Sequence, residues 1–570
     1  MKAELTECSE DDCTHFRSHP ELDCPEGLKM CESRNPPPRK VFFISSLAMT
    51  NHKCEWDDEH IEVPERLESI LTYLTSGETD VLDECEILQP CSANVDDIRL
   101  VHSDSYIEMI SKTTQMNIDE LESFCSGFED VYANGQTYNA CMLSAGCALE
   151  AMKAVMAERN GFAGAFAAIR PPGHHASQKS ACGFCFFNNV AICAKKARQM
   201  GVKRVLIVDW DVHAGQGTQY CIDDDENIRL ISMHRYEYGK FWPQLPESAV
   251  KHSYANTLNV TLNRTGLGDA EYVAFMKHIV VPVIADFLPS LILVSCGFDA
   301  SYGDPEGRMK VTPGAYQWMT HILVMQSIKL NARLCLLLEG GYFVETLPVS
   351  VEFCLKGLLG HPLPYIPLKF CDELFLNSVH TVAVHYGAQF PSLQLLADVT
   401  GMIRQLKGIK EIKLIEAEYE GIREFSIPYP TRGVYRRAPK NVVDGYYEEV
   451  TWIIQSYYYE TEEPRKLVLY FDEKTIQDET SESVIITVDK MASMELVKQF
   501  LQRHVCEASL GVVEDISIKK SEFSTDHSLK KKKMTVDVYR ATTANICIAL
   551  LKIFDEGFAN DLEHILLFDC

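Results

Sequence analysis

Long apolar runs and positive charge are what this sequence has least of. No uninterrupted apolar run approaches the ~18–20 residues of a membrane span, although 46% of the 570 residues are apolar. The opening MKAELTECSEDD holds no apolar stretch of signal-peptide length, so neither secretion nor membrane insertion is expected. Lys and Arg total 54 against 81 Asp and Glu, a formal net charge of −27. So acidic a surface repels phosphate backbones and argues against direct nucleic-acid binding, while it steers cationic ligands such as polyamines or Lys-rich tails inward. The 21 cysteines are an odd number, scattered through apparent strands and helices at Cys182, Cys185, Cys193, Cys296 and Cys335. Without an export signal they read as reduced, buried thiols of a cytoplasmic or nuclear chain.

The chain is longer than the ~250–300 residues at which single cores stop growing, so more than one domain is expected. Residues 1–38 are polar and acidic, end in Asn35-Pro36-Pro37-Pro38, and read as a disordered tail before a strand at Val41–Ile44. Cys8, Cys13, His15, Cys24 and Cys31 show no paired CxxC spacing and are read as spare thiols, not a zinc knuckle. From 39 to 364, apolar runs at Ala165–Ile169, Val205–Val208, Leu291–Val294 and Leu334–Leu338 suit buried parallel strands. They alternate with helical patterns such as Tyr138–Ala157 and Asn188–Met200, which predicts an α/β fold with a central, mostly parallel sheet. In such sheets ligands bind beyond the carboxyl ends of the strands. His361-Pro362-Leu363-Pro364 and Pro367 mark a linker to a smaller α/β domain over 365–570. Strands are expected there at Glu411–Ala417, Lys466–Phe471 and Ser483–Val488, and helices near Met491–Arg503 and Ala544–Phe554. That domain shows no catalytic motif and is assigned no role beyond contacts with protein partners. Lys530–Lys533 is read as a solvated loop ahead of a nuclear-import signal.

The chemistry stands at the strand ends. In Val208-Asp209-Trp210-Asp211-Val212-His213, strand alternation sends Asp209, Asp211 and His213 to one face. An Asp-x-His pair suits zinc, and catalytic zinc takes three protein ligands with an open fourth position. Asp299, in Ser295-Cys296-Gly297-Phe298-Asp299 after a neighbouring strand, supplies the third. Arg170-Pro171-Pro172-Gly173-His174-His175 is a rigid loop after a strand, presenting two histidines able to exchange protons near neutral pH. In Glu339-Gly340-Gly341-Tyr342 the glycines turn the chain sharply and expose a phenol that can stabilise an oxyanion.

Taken together, RPPGHHA, GFCFFNNVA, VDWDVHAGQGTQ, VSCGFDA, GDPEG and LEGGY resemble the zinc-dependent histone deacetylase family over roughly residues 40–360. The resemblance implies the arginase/deacetylase fold, with one catalytic zinc on Asp211, His213 and Asp299. His174 and His175 match the tandem catalytic histidines, and Tyr342 the transition-state tyrosine. Asp209 and Ser232, with Asp211 and His213, match a structural potassium site. Gly183, Phe184 and Trp242 match the acyl tunnel. The implied reaction is hydrolysis of an N-acetyl amide by zinc-activated water, with His175 as general base.

Ala214 stands where a second histidine commonly follows the zinc ligand. Gln216 stands where many members place Asp or Asn, and it accepts a hydrogen bond without lending negative charge to a catalytic histidine. Gln216, the run from His234 to Pro243, and Asp304-Pro305-Glu306-Gly307 resemble class IIb, nearest its polyamine deacetylase branch. In that branch a glutamate at the position of Glu306 pairs with the ammonium of an acetylpolyamine. Beside Trp242, a carboxylate there favours a cationic chain. The branch also carries a short Pro-Glu-x-Cys-Glu insertion that narrows the entrance, and the run from Trp56 to Leu67 lacks it. Asp130 aligns with a rim residue that binds the substrate backbone. The expected substrate is therefore Nε-acetyl-lysine in proteins, histones included, with N8-acetylspermidine as the alternative. A scaffold built on a vestigial deacetylase fold and a dimanganese arginase-like site are the less favoured readings.

Overall fold

A computed structural model of the chain describes residues 39–364, 366, 371–394, 396–397 and 435–458, and the strand backbones 465–471, 484–487, 521–526 and 531–538. The tail of 1–38, the strand expected at Glu411–Ala417 and the helices expected near Met491–Arg503 and Ala544–Phe554 lie outside these residues.

Eight strands form one sheet: β1 (Arg39–Ser45), β2 (Glu86–Ile87), β3 (Phe162–Ala168), β4 (Val205–Asp209), β5 (Ile228–Arg235), β6 (Thr257–Leu262), β7 (Leu291–Cys296) and β8 (Arg333–Leu338). Their spatial order is β2-β1-β3-β8-β7-β4-β5-β6, and every pairing is parallel. Parallel strands need crossover helices, which cover both faces and force the strands to be apolar throughout. β3, β4, β7 and β8 are accordingly buried at every residue. The helix Thr137–Ala157 supplies much of that cover through Cys141, Ala145, Ala148, Leu149 and Met152, all buried. Most of the described cysteines are buried free thiols.

The order β3-β8-β7-β4 brings together segments distant in sequence and aligns their carboxyl ends. Asp209 is in register with Ser295, and Cys296 with Leu338. The loops carrying His174, Asp211, Asp299 and Tyr342 therefore leave the sheet side by side.

Beyond 364 the chain continues to pack on this body. The helix Glu373–Tyr386 is capped by Asp372 and held by Tyr386, whose hydroxyl donates to the Val250 carbonyl at 2.8 Å. The helix Lys440–Tyr458 is tied down by Tyr457, which donates to Thr312 Oγ1 at 2.6 Å. Both helices lie beyond position 364 and bond to residues before it. Four further strands, β9 (Arg465–Phe471), β10 (Val484–Thr487), β11 (Ser521–Asp526) and β12 (Lys531–Val538), form a mixed sheet ordered β10-β9-β12-β11. Lys531–Lys533 thus begin a strand and do not lie in a loop.

Candidate active site

β4 ends at Asp209, so the pleat alternation expected to align Asp211 and His213 does not extend to them. Backbone hydrogen bonds do the work instead. Asp209 Oδ1 accepts from the Asp211 N–H at 3.1 Å, and Asp211 Oδ1 accepts from the His213 N–H at 2.9 Å. Asp299 reaches over from the end of β7 and accepts from the Val212 N–H at 2.7 Å. His213 Nδ1 lies 3.1 Å from both Asp211 Oδ1 and Asp299 Oδ2.

One ligand atom from each of Asp211, His213 and Asp299 lies within 4.8 Å of the others, and all three residues are buried. Burial and the neighbouring charge of Asp211 push the Asp299 carboxyl well above the usual carboxylate range. Two buried carboxylates in contact are electrostatically unfavourable unless a cation joins them. Gly340 leaves the room: a Cβ there would fall 2.4 Å from Asp299 Oδ2 and 2.6 Å from Asp211 Oδ2. The two oxygens and one nitrogen suit zinc in a three-ligand site.

His174 and His175 are buried with ring centroids 3.9 Å apart. His174 Nδ1 meets Asp209 Oδ2 at 3.0 Å, and His175 Nδ1 meets Gln216 Oε1 at 2.7 Å. Burial opposes charge on both rings. At His174 the carboxylates of Asp211 and Asp209 outweigh it and hold the ring up to about 10. At His175 burial prevails, helped by the nearby His174 and His213 rings, and the ring is pushed well below its ordinary value. The amide of Gln216 orients His175 without charging it. The two rings of the pair thus stand in opposite surroundings, His174 against carboxylates and His175 against an amide and other imidazoles. Ser232, in register with Asp209, places its Oγ 2.8 Å from His234 Nδ1.

Tyr342 follows β8 in a turn pinned by residues that carried no signal in the sequence. Arg66 Nε donates to the Gly341 carbonyl at 2.6 Å, and its Nη2 to the Glu339 carbonyl at 2.6 Å. The same guanidinium lies 4.9 Å from the Tyr342 ring centroid. Its Nη1 donates to Glu62 Oε1 at 2.8 Å, and Arg170 holds the other side of that carboxylate. Asp304 Oδ2 accepts from the Tyr342 N–H at 2.7 Å. Burial raises the Tyr342 phenol well above its ordinary value, against the pull of Arg66, so it remains an O–H donor. The Glu339 side chain accepts from the Gly173 N–H at 2.6 Å, joining this turn to the histidine loop.

The approach to these groups is aromatic. Trp242 stands edge-on to His175 at 4.6 Å, and Phe184 edge-on to Tyr342 at 5.7 Å. Gly183 is required between them: its φ is +51°, and a Cβ there would meet His175 Cδ2 at 2.6 Å and Trp242 Cη2 at 2.7 Å. At the rim, the Asp130 carbonyl accepts from the Phe184 N–H at 2.8 Å, so this acid and the aromatic wall are built together. Burial raises the Asp130 carboxyl to about 7, the Tyr435 hydroxyl opposes the rise, and the Glu306 carboxylate adds to it. Glu306 is held at the same rim through its backbone: its N–H donates to Asp304 Oδ1 at 2.8 Å and its carbonyl accepts from Arg235 at 3.1 Å. Asp130, expected as a rim residue that binds the substrate backbone, is half-buried and already engaged by Tyr435.

A sequence profile of the histone deacetylase domain matches residues 60–358. The chain is 40% identical over 357 residues to mouse polyamine deacetylase HDAC10, covering 61% of this chain and 52% of that protein. It is 35% identical over 308 residues to histone deacetylase 6 of Caenorhabditis elegans, covering 53% and 32%. The crystal structure of the HDA15 HD domain superposes with a TM-score of 0.56 at 31% identity, covering 63% of this chain and 98% of that one. The chain spans about half the length of the HDAC10 relatives it matches.

Proposed function

The chain belongs to the histone deacetylase family, among its class II members, and we propose that it is a zinc-dependent amidohydrolase that removes acetyl groups from amines. The observation that carries this reading is the convergence of Asp211, His213 and Asp299 beside a hydrogen-bonded histidine pair and a protonated tyrosine.

A zinc ion held by the three ligands would supply Lewis acidity and acidify a water. The residues of the chain provide the rest. His175, neutral and oriented through Nδ1 by Gln216, accepts the proton of the attacking water. His174, bonded through Nδ1 to Asp209, which raises it above its ordinary value, is placed to protonate the leaving amine. The Tyr342 O–H donates to the oxygen of the former carbonyl. Phe184 and Trp242 exclude water from an aliphatic chain between them. By resemblance, a potassium ion at Asp209, Asp211, His213 and Ser232 would stiffen the zinc loop.

The substrate expected from the sequence is Nε-acetyl-lysine in proteins. A second reading, an acetylated polyamine, is favoured by the two acids at the rim, Asp130 and Glu306. Purified, zinc-loaded protein should hydrolyse an acetyl-lysine peptide or N8-acetylspermidine, and Glu306→Leu should lower kcat/KM selectively for the polyamine. Hydrolysis of neither substrate, together with failure to bind a hydroxamate, refutes the deacetylase assignment. Metal analysis of the same sample should return one zinc per chain.

A further inference from the structure

The mouth of the site is completed by a residue from far outside the matched domain. Tyr435 donates its hydroxyl to Asp130 Oδ2. Its ring stands 4.8 Å from His60 and 6.0 Å from Phe184, centroid to centroid, and so extends the aromatic wall that begins at Tyr342. The placement is anchored by the chain that follows Tyr435. The Arg437 N–H donates to Glu59 Oε2 at 3.2 Å. Beyond it, the helix Lys440–Tyr458 sets Tyr446 edge-on to Tyr302 at 5.3 Å. Tyr302 in turn donates to Glu449 at 2.7 Å, and Tyr457 to Thr312. Tyr435 is therefore presented to the rim by a braced segment.

We propose that Tyr435 is a specificity-determining residue, forming the outer wall of the tunnel at Asp130 and favouring an unbranched acetylated alkylamine over a peptide. The proposal rests on the deacetylase reading and names the substrate class that this entrance selects. An alkylamine enters as one slender chain past Phe184 and Trp242 and leaves the Tyr435–Asp130 contact intact. An acetyl-lysine within a peptide must lay main chain and neighbouring side chains across the rim. It then displaces the phenol, breaking a hydrogen bond to a carboxylate and the packing against His60 and Phe184. The Glu306 side chain on the same rim offers a partner for an ammonium group carried further along a polyamine.

The test compares kcat/KM for an acetyl-lysine peptide and for N8-acetylspermidine in full-length, zinc-loaded wild type, Tyr435→Ala and Tyr435→Phe. In the alanine variant the ratio of peptide to polyamine kcat/KM should rise about tenfold, the value of one hydrogen bond to a charged group. Tyr435→Phe keeps the ring, guards against a folding defect, and should give a smaller rise in the same direction. A wild type active on either substrate, with a ratio unmoved in both variants, overturns the role of Tyr435 and leaves the deacetylase reading standing. A wild type inert on both substrates overturns that reading and this inference with it.

Discussion

Arg66 offers the sharpest test of how the catalytic tyrosine is held. The perturbation is Arg66→Lys, which keeps the positive charge beside Glu62 and removes the planar fork that reaches two carbonyls at once. In the native turn, Nε and Nη2 bond the carbonyls of Gly341 and Glu339, while Nη1 bonds Glu62. A lysine ammonium can keep the carboxylate and at most one carbonyl. Losing one or two backbone hydrogen bonds in a buried site costs about 1–2 kcal/mol of stability. Glu62 stays neutralised by Arg170, so the larger penalty of a stranded buried charge is avoided. The catalytic consequence follows from the position of the phenol, since Tyr342 is joined to the turn that Arg66 clamps and packs under its guanidinium. Removing an oxyanion donor outright costs about 10²–10³ in kcat, so a displaced donor should cost about tenfold. KM should change little, because Phe184 and Trp242 are untouched. Steady-state kinetics on the better substrate and urea unfolding at fixed slope provide the readings. A variant with kcat within twofold of wild type and an unshifted urea midpoint would show that Arg66 does not position Tyr342.

Gly183→Ala should abolish turnover while leaving the zinc content intact. The added methyl meets His175 and Trp242 well inside contact distance, in a left-handed backbone conformation that alanine resists. Retention of more than a tenth of wild-type kcat/KM would contradict the tunnel geometry. A different prediction concerns acid stability. Burial depresses His102, His234 and His321 to about 4. Between pH 4 and 6.5 the unfolded chain then binds more protons at these sites than the folded one. Their contribution is complete above about pH 6.5 and is lost as pH falls towards 4. The urea midpoint should therefore drop between pH 6.5 and 5, and the drop should be smaller in His321→Leu. An identical drop in the variant would remove His321 from the account.

The parts of this protein legible in its sequence are those whose cause is local. Strands β3, β4, β7 and β8 are buried on both faces and so read as short apolar runs. β5 and β6 escaped notice because Arg229, Ser232, His234, Thr257, Asn259 and Thr261 break that pattern. The metal cluster was legible because aspartate and histidine are rarely packed at the ends of apolar strands without a purpose, although pleat alternation was the wrong reason for their alignment. The helix Lys440–Tyr458 was missed because no motif marks it. Arg66 was equally silent, since its partners at Gly341 and Glu339 lie 275 and 273 positions away.

The same reasoning explains why the chemistry and the choice of amine are unequally readable. Proton transfer and oxyanion stabilisation rest on short motifs, each carried by one loop after one strand. The mouth is assembled from His60, Asp130, Phe184, Glu306 and Tyr435, single residues from five separate stretches of chain. Phe184 and Glu306 sit in recognisable motifs, but His60 and Tyr435 have no neighbour in sequence that announces their role, and Tyr435 lies outside the segment shared with the family profile. A rim built this way can change its selectivity by altering one distant residue while every catalytic motif stays the same. On the proposed reading, substrate choice rests on the tertiary contacts around Asp130, and the contact between Asp130 and Tyr435 is where it should first be sought.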